Sequence, residues 1–183
     1  MHYFDNWKQD IYSIPNILSI CRILLIPFFF FFFFEGNSLV AGILILISGI
    51  TDFADGYIAR QYNQITNLGK VLDPVADKLT QCSLIFVTTF TFPIAWAILG
   101  LFLLKELFMF IVGSISLKKE QPIDGAKWYG KVATAVIYVC MILFLLFPDF
   151  SMTYHDLLLW LVLLSLVLSF VLYARYYWAH FFK

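Results

Sequence analysis

Six apolar segments, each near the roughly 20 residues that cross a bilayer, occupy most of this sequence and leave it few folds to choose from. They fall at about 14–34, 38–60, 70–92, 94–117, 129–147 and 157–176. In lipid every backbone polar group must be satisfied within the protein, so the pattern predicts an all-α polytopic membrane protein with six transmembrane helices. Composition agrees: 62% of the residues are hydrophobic and 13% are charged, where soluble domains run at about half and about a quarter. Residues 1–13 put Tyr3, Phe4, Trp7 and Ile11 on one helical face, which predicts an N-terminal amphipathic interfacial helix ahead of a membrane domain over 14–183. The run Phe28–Phe34 reads as lipid-facing filler. Cys21, Cys82 and Cys140 lie in different apolar segments without metal-like spacing and read as small packing residues.

Charge placement sets the orientation. Net charge is zero, so nothing in the balance attracts nucleic acid. Lys8, Arg60, Lys70, Lys118, Lys119, Lys127, Arg175 and Lys183 lie in or beside one set of connectors, whereas the opposite set carries only Glu35, Asp149 and Asp156. By the positive-inside rule the termini and the 52–77 connector face the cytoplasm. Arg22, Lys78, Lys105 and Lys131 are set deeper in the apolar segments, Lys105 near mid-membrane.

The second segment is purely apolar only over Leu39–Ile50, so to span it must continue through the acidic stretch that follows. That stretch holds Asp52 and Asp55, three apart, and Asp73 and Asp77, four apart. On helices each pair shares one face, so four carboxylates converge at the edge of the membrane. Such a cluster needs a cation or shared protons to exist there. Gly56 and Ala59 keep the neighbouring face thin enough for a bulky ligand to lie against the backbone.

The spacing Asp52-x2-Asp55-Gly56-x2-Ala59-Arg60-x8-Gly69-x3-Asp73-x3-Asp77 resembles the signature of the CDP-alcohol phosphatidyltransferases. The runs IPNILSICRILLIP, VLDPVADK and GKVAT are similar to segments of the bacterial phosphatidylglycerophosphate synthases within that family. Lys105-Glu106 stands where many of those enzymes have Arg-Glu, a change that keeps the charge and loses the planar fork. The 118–128 connector departs from their pattern. The resemblance implies a homodimer in a bacterial inner membrane that transfers a phosphatidyl group from CDP-diacylglycerol to an alcohol and releases CMP. It implies that Asp52, Asp55 and Asp73 hold two divalent cations, with Asp77 beside them as general base. Asp52, Asp55, Gly56, Ala59, Arg60 and Gly69 would then face the CDP-lipid, although Arg60 also suits a simple interface anchor.

Charge arithmetic makes independent sense of the metals. Carboxylates of about −4 cannot meet a diphosphate of about −2 unless cations intervene. All-oxygen ligation favours Mg²⁺ or Mn²⁺ over zinc. Arg22, Lys105 and Lys131 could snorkel or pair with Glu106. Arg22 and Lys105 lie too deep to snorkel, which favours a pocket for an anionic acceptor such as glycerol 3-phosphate. Competing readings are a cardiolipin synthase of the same fold using phosphatidylglycerol, a cation or proton transporter, and a catalytically silent membrane partner. No inverted repeat supports the transporter.

Overall fold

A computed structural model describes residues 12–61, 66, 68–118, 127–149 and 151–181, the side chains of 53–60, 117–118 and 180–181 excepted. The expected amphipathic helix over 1–13 thus falls almost entirely outside the described residues. Those described form helices α1 (Ile14–Phe34), α2 (Ser38–Gln61), α3 (Gly69–Thr88), α4 (Ile94–Lys118), α5 (Trp128–Leu146) and α6 (Met152–Phe181). Pro15 sits in the first turn of α1, where its missing N–H costs nothing. Gly36, at φ 83°, reverses the chain after α1, and the Asn37 N–H donates back to Phe32 O at 2.9 Å.

Helix ends differ from the hydropathy pattern where polarity and backbone geometry disagree. Helix α3 stops at Thr88 rather than near 92, because Thr91 and Phe92 turn back onto Thr88 O ahead of Pro93. Helix α6 begins and ends about one turn beyond its apolar stretch, since neither Gly nor Pro interrupts residues 152–181. Helices α1, α4, α5 and α6 are long and apolar enough to cross a membrane, which makes this an integral membrane protein. The apolar part of α2 is the shorter Ser38–Asp52, and α3 carries Lys70, Asp73, Asp77 and Lys78 within its length. The acidic motif thus makes two of the six helices the most polar.

The chain divides into two units, Met1–Val87 with Phe144–Pro148, and Thr88–Leu143 with Asp149–Lys183. In the first, α1 and α2 pack along each other. Gly42 makes this possible for the 144–148 segment, because a Cβ there would come within 2.8 Å of Leu146 Cδ2. The phenylalanine run is only partly lipid-facing. Phe28, Phe31 and Phe34 are exposed, but Phe29 is fully buried and tilts against Phe30 and Phe33. With helical periodicity, a run of seven phenylalanines cannot all face one side.

In the second unit, α4 packs against α6. The Phe108 ring meets Phe170 edge-on at 5.4 Å, and Val112, Tyr173 and Tyr177 are buried together. Gly130 lies against the Tyr173 ring, and the Tyr173 hydroxyl accepts the Lys127 N–H at 3.2 Å. The Lys127 ammonium lies 4.4 Å from the centre of the Tyr176 ring. His155 is buried beside Phe92. Cys140 is buried, Cys82 half-buried and Cys21 exposed, all as free thiols.

Candidate active site

Helix α1 buries a polar stripe, Asn16, Ser19 and Arg22, spaced by three residues along one helical face. Ser19 spends its hydroxyl on Pro15 O within the helix. Asn16 and Arg22 reach across to the acidic region. The Arg22 side chain is wholly buried, and its Nη1 lies 2.6 Å from Asp52 Oδ1 on α2 and 3.6 Å from Asp73 Oδ1 on α3. The two carboxylates keep 41% and 47% of their side-chain exposure, so the cation is sealed while the acids stay open to a ligand. The charges of Asp73 and Asp77 also act on Asp52, and that of Asp77 on Asp73. Arg22, Asp52, Asp73 and Asp77 therefore form one electrostatic group drawn from three helices.

The start of α3 is fixed from α1. Asn16 Nδ2 donates to Thr66 Oγ1 at 2.9 Å, and the same oxygen accepts the Gly69 N–H at 2.9 Å. Thr66 thus caps the helix that carries Asp73, with Asn16 holding the cap. Gly69 must lack a side chain: a Cβ would stand 2.5 Å from Asn16 Oδ1 and 3.0 Å from Thr66 Oγ1. The sequence singled out Gly69 as a ligand-facing position, and the structure gives it a packing reason as well. Further along α3, Gln81 Nε2 donates to Asp77 Oδ2 at 2.8 Å.

Of the expected site residues, Asp55, Gly56, Ala59 and Arg60 lie on α2, but their side chains are outside the described residues. Lys105 and Lys131 belong to the second unit. Lys105 is buried on α4, bonds Glu106 Oε1 and lies 5.9 Å from the centre of the Phe102 ring. Pairing with Glu106, one of the alternatives open in the sequence, is what the structure shows. Lys131 is exposed, one turn into α5. Asn16, Thr66 and Gln81 were not singled out as site residues. Asn16 is conspicuous as an amide in an apolar segment, and Gln81 follows Asp77 by one helical turn. Nothing local marks Thr66.

Among the described residues no three His, Cys, Asp or Glu side chains close into a group that could hold a metal ion. The chemistry of those present nonetheless fits a hard divalent cation. The donors are carboxylate oxygens, and Asp73 Oδ1 is buried without a hydrogen-bond donor among the described residues.

Residues 12–173 match the family model for CDP-alcohol phosphatidyltransferase, and the chain belongs to that family. The family generally uses divalent metal ions, and its substrates are a CDP-alcohol and an alcohol acceptor. The chain is 34% identical over 131 residues to the CDP-diacylglycerol–glycerol-3-phosphate 3-phosphatidyltransferase of Aquifex aeolicus (strain VF5), covering 71% of this chain and 74% of that protein. It is 30% identical over 179 residues to the protein of the same name from Bacillus subtilis (strain 168), covering 87% and 92%. A protein of Drosophila melanogaster named probable cardiolipin synthase (CMP-forming) is 33% identical over 115 residues, 60% of this chain and 36% of its own length.

Proposed function

We propose that this chain transfers the phosphatidyl group of CDP-diacylglycerol to glycerol 3-phosphate, giving phosphatidylglycerophosphate and CMP. The observation that carries the reading is the junction of α1, α2 and α3, where buried Arg22 pairs with Asp52 in the C-terminal part of α2 and faces Asp73 at the start of α3. The name shared by the Aquifex and Bacillus relatives supports the choice of acceptor. The acceptor hydroxyl attacks the phosphorus that bears the diacylglycerol, the bond from that phosphorus to the CMP oxygen breaks, and CMP leaves with the electron pair. The hydroxyl proton passes to the Asp77 carboxylate, held on α3 one turn beyond Asp73.

Asp52, Asp55 and Asp73, with Asp77 beside them, would hold two divalent cations, Mg²⁺ or Mn²⁺, which when bound neutralise the diphosphate and the charge that develops on CMP. Gly56, Ala59, Arg60 and Gly69 complete the face toward the CDP-lipid. Arg22, which already has a carboxylate partner, supplies positive charge for the acceptor's phosphate. Lys105, paired with Glu106, and Lys131 are separate candidates on the second unit. The reading includes a six-span domain over 14–183, a homodimer, and an active site on the cytoplasmic side of a bacterial inner membrane.

The test is CMP release by purified protein given CDP-diacylglycerol with one acceptor at a time. Glycerol 3-phosphate should support turnover well above water alone. Turnover with phosphatidylglycerol instead would make the chain a cardiolipin synthase, the name of the Drosophila relative. No CMP with any alcohol would overturn the reading.

A further inference from the structure

Gln81 is completely buried, yet only half of its amide is used. An ionised carboxylate only accepts hydrogen bonds, so the amide nitrogen must be the atom facing Asp77 Oδ2 at 2.8 Å. That choice fixes Oε1 as the other end, and Oε1 is buried without a hydrogen-bond donor among the described residues. A buried unmet acceptor works against folding, and a leucine or methionine of similar volume would avoid that cost. As a device for holding α3 together, then, this glutamine is a poor choice. Its one satisfied contact is with Asp77, and fixing Oδ2 fixes the rotation of the carboxylate and hence the direction of its second oxygen.

We propose that Gln81 is the positioning residue for Asp77, clamping one carboxylate oxygen so that the other meets the acceptor hydroxyl in line with the attack. The inference rests on the reading of Asp77 as the general base. Angular precision matters in such a step, and partners that orient a reactive group commonly contribute ten- to a hundredfold. Gln81 touches neither substrate in this account and acts only through Asp77.

The experiment compares Gln81→Met, Asp77→Asn and the double variant in detergent, measuring kcat, both KM values, Mg²⁺ affinity by calorimetry and Tm. Gln81→Met should lower kcat by about ten- to a hundredfold. It should leave both KM values and the Mg²⁺ affinity within about twofold, and Tm unchanged or raised. In the Asp77→Asn background the same change should have no further effect on kcat. Gln81→Leu carries identical expectations should the methionine variant prove unstable. A kcat within about twofold of the parent, or an equal loss in the Asp77→Asn background, overturns the positioning role. Should Asp77→Asn itself turn over normally, the reading of Asp77 as base fails first and Gln81 has nothing to position.

Discussion

Arg22 Nη1 lies 2.6 Å from Asp52 Oδ1 with the arginine side chain entirely removed from solvent, so a buried cation on α1 anchors the acidic end of α2. A buried charge is tolerated only when paired, and here its partners remain partly exposed. Replacing Arg22 by Gln should therefore cost a moderate amount, about 1–3 kcal/mol, because the carboxylates left behind can be hydrated. Thermal unfolding in detergent measures it. Arg22→Lys should recover only part of the loss, since an ammonium cannot address two carboxylates with a planar fork.

Acceptor recognition is a separate expectation. If Arg22, Lys105 and Lys131 act on an anionic acceptor, Gln in place of each should raise the acceptor KM more than that of CDP-diacylglycerol. Roughly ten- to a hundredfold is the scale of one lost charge-assisted contact. Steady-state kinetics with each substrate varied in turn decides the matter. An unchanged acceptor KM in all three variants would make these residues structural.

Chelation should abolish turnover, and Mg²⁺ or Mn²⁺ should restore it. The acids around Asp73 are open enough to admit a cation, and a diphosphate cannot approach them unaided. Full activity in excess chelator would remove the metals from the proposal.

Asp52 and Asp77 should fail in different ways. Asp77→Asn should lower turnover by about 10²–10⁴ while CDP binding in Mg²⁺ stays largely intact, as expected for loss of a base. Asp52→Asn should instead weaken metal binding and, with it, nucleotide binding. Calorimetric CDP titrations beside rate measurements separate the two.

Gly69→Ala tests the link from α1 to α3. The added methyl meets Asn16 and Thr66, both tied into the cap, so one of the two hydrogen bonds must yield. A loss of about 1–3 kcal/mol in stability is expected, the scale of overpacking at a tight contact. Turnover should fall with it, because the register of Asp73 depends on where α3 begins.

Local features of the fold were legible in the sequence and cross-chain pairings were not. The bounds of α1 and the start of α4 follow from apolar runs bracketed by Pro15, Gly36 and Pro93, all local signals. The two acidic pairs follow from helical spacing alone. The Arg22–Asp52 pairing does not, because a deep arginine is equally compatible with a substrate, a carboxylate or a lipid phosphate until the helices are placed side by side. Asn16 and Thr66 are 50 residues apart, and their contact is a property of packing rather than pattern. Lys105 shows the converse: its partner is the next residue, visible at once, and competed with a more distant role.

Helix α6 has 30 residues, about 45 Å of helix, against a hydrocarbon layer of about 30 Å. Tilting takes up only part of that excess. The remainder carries Arg175 and Trp178, both exposed and suited to the headgroup region. The bilayer thus acts as a ruler that this helix overruns, and its aromatic end works as a depth stop. A thicker membrane would draw that end inward and a thinner one would push it out, so the enzyme's seating should follow the lipid in which it works.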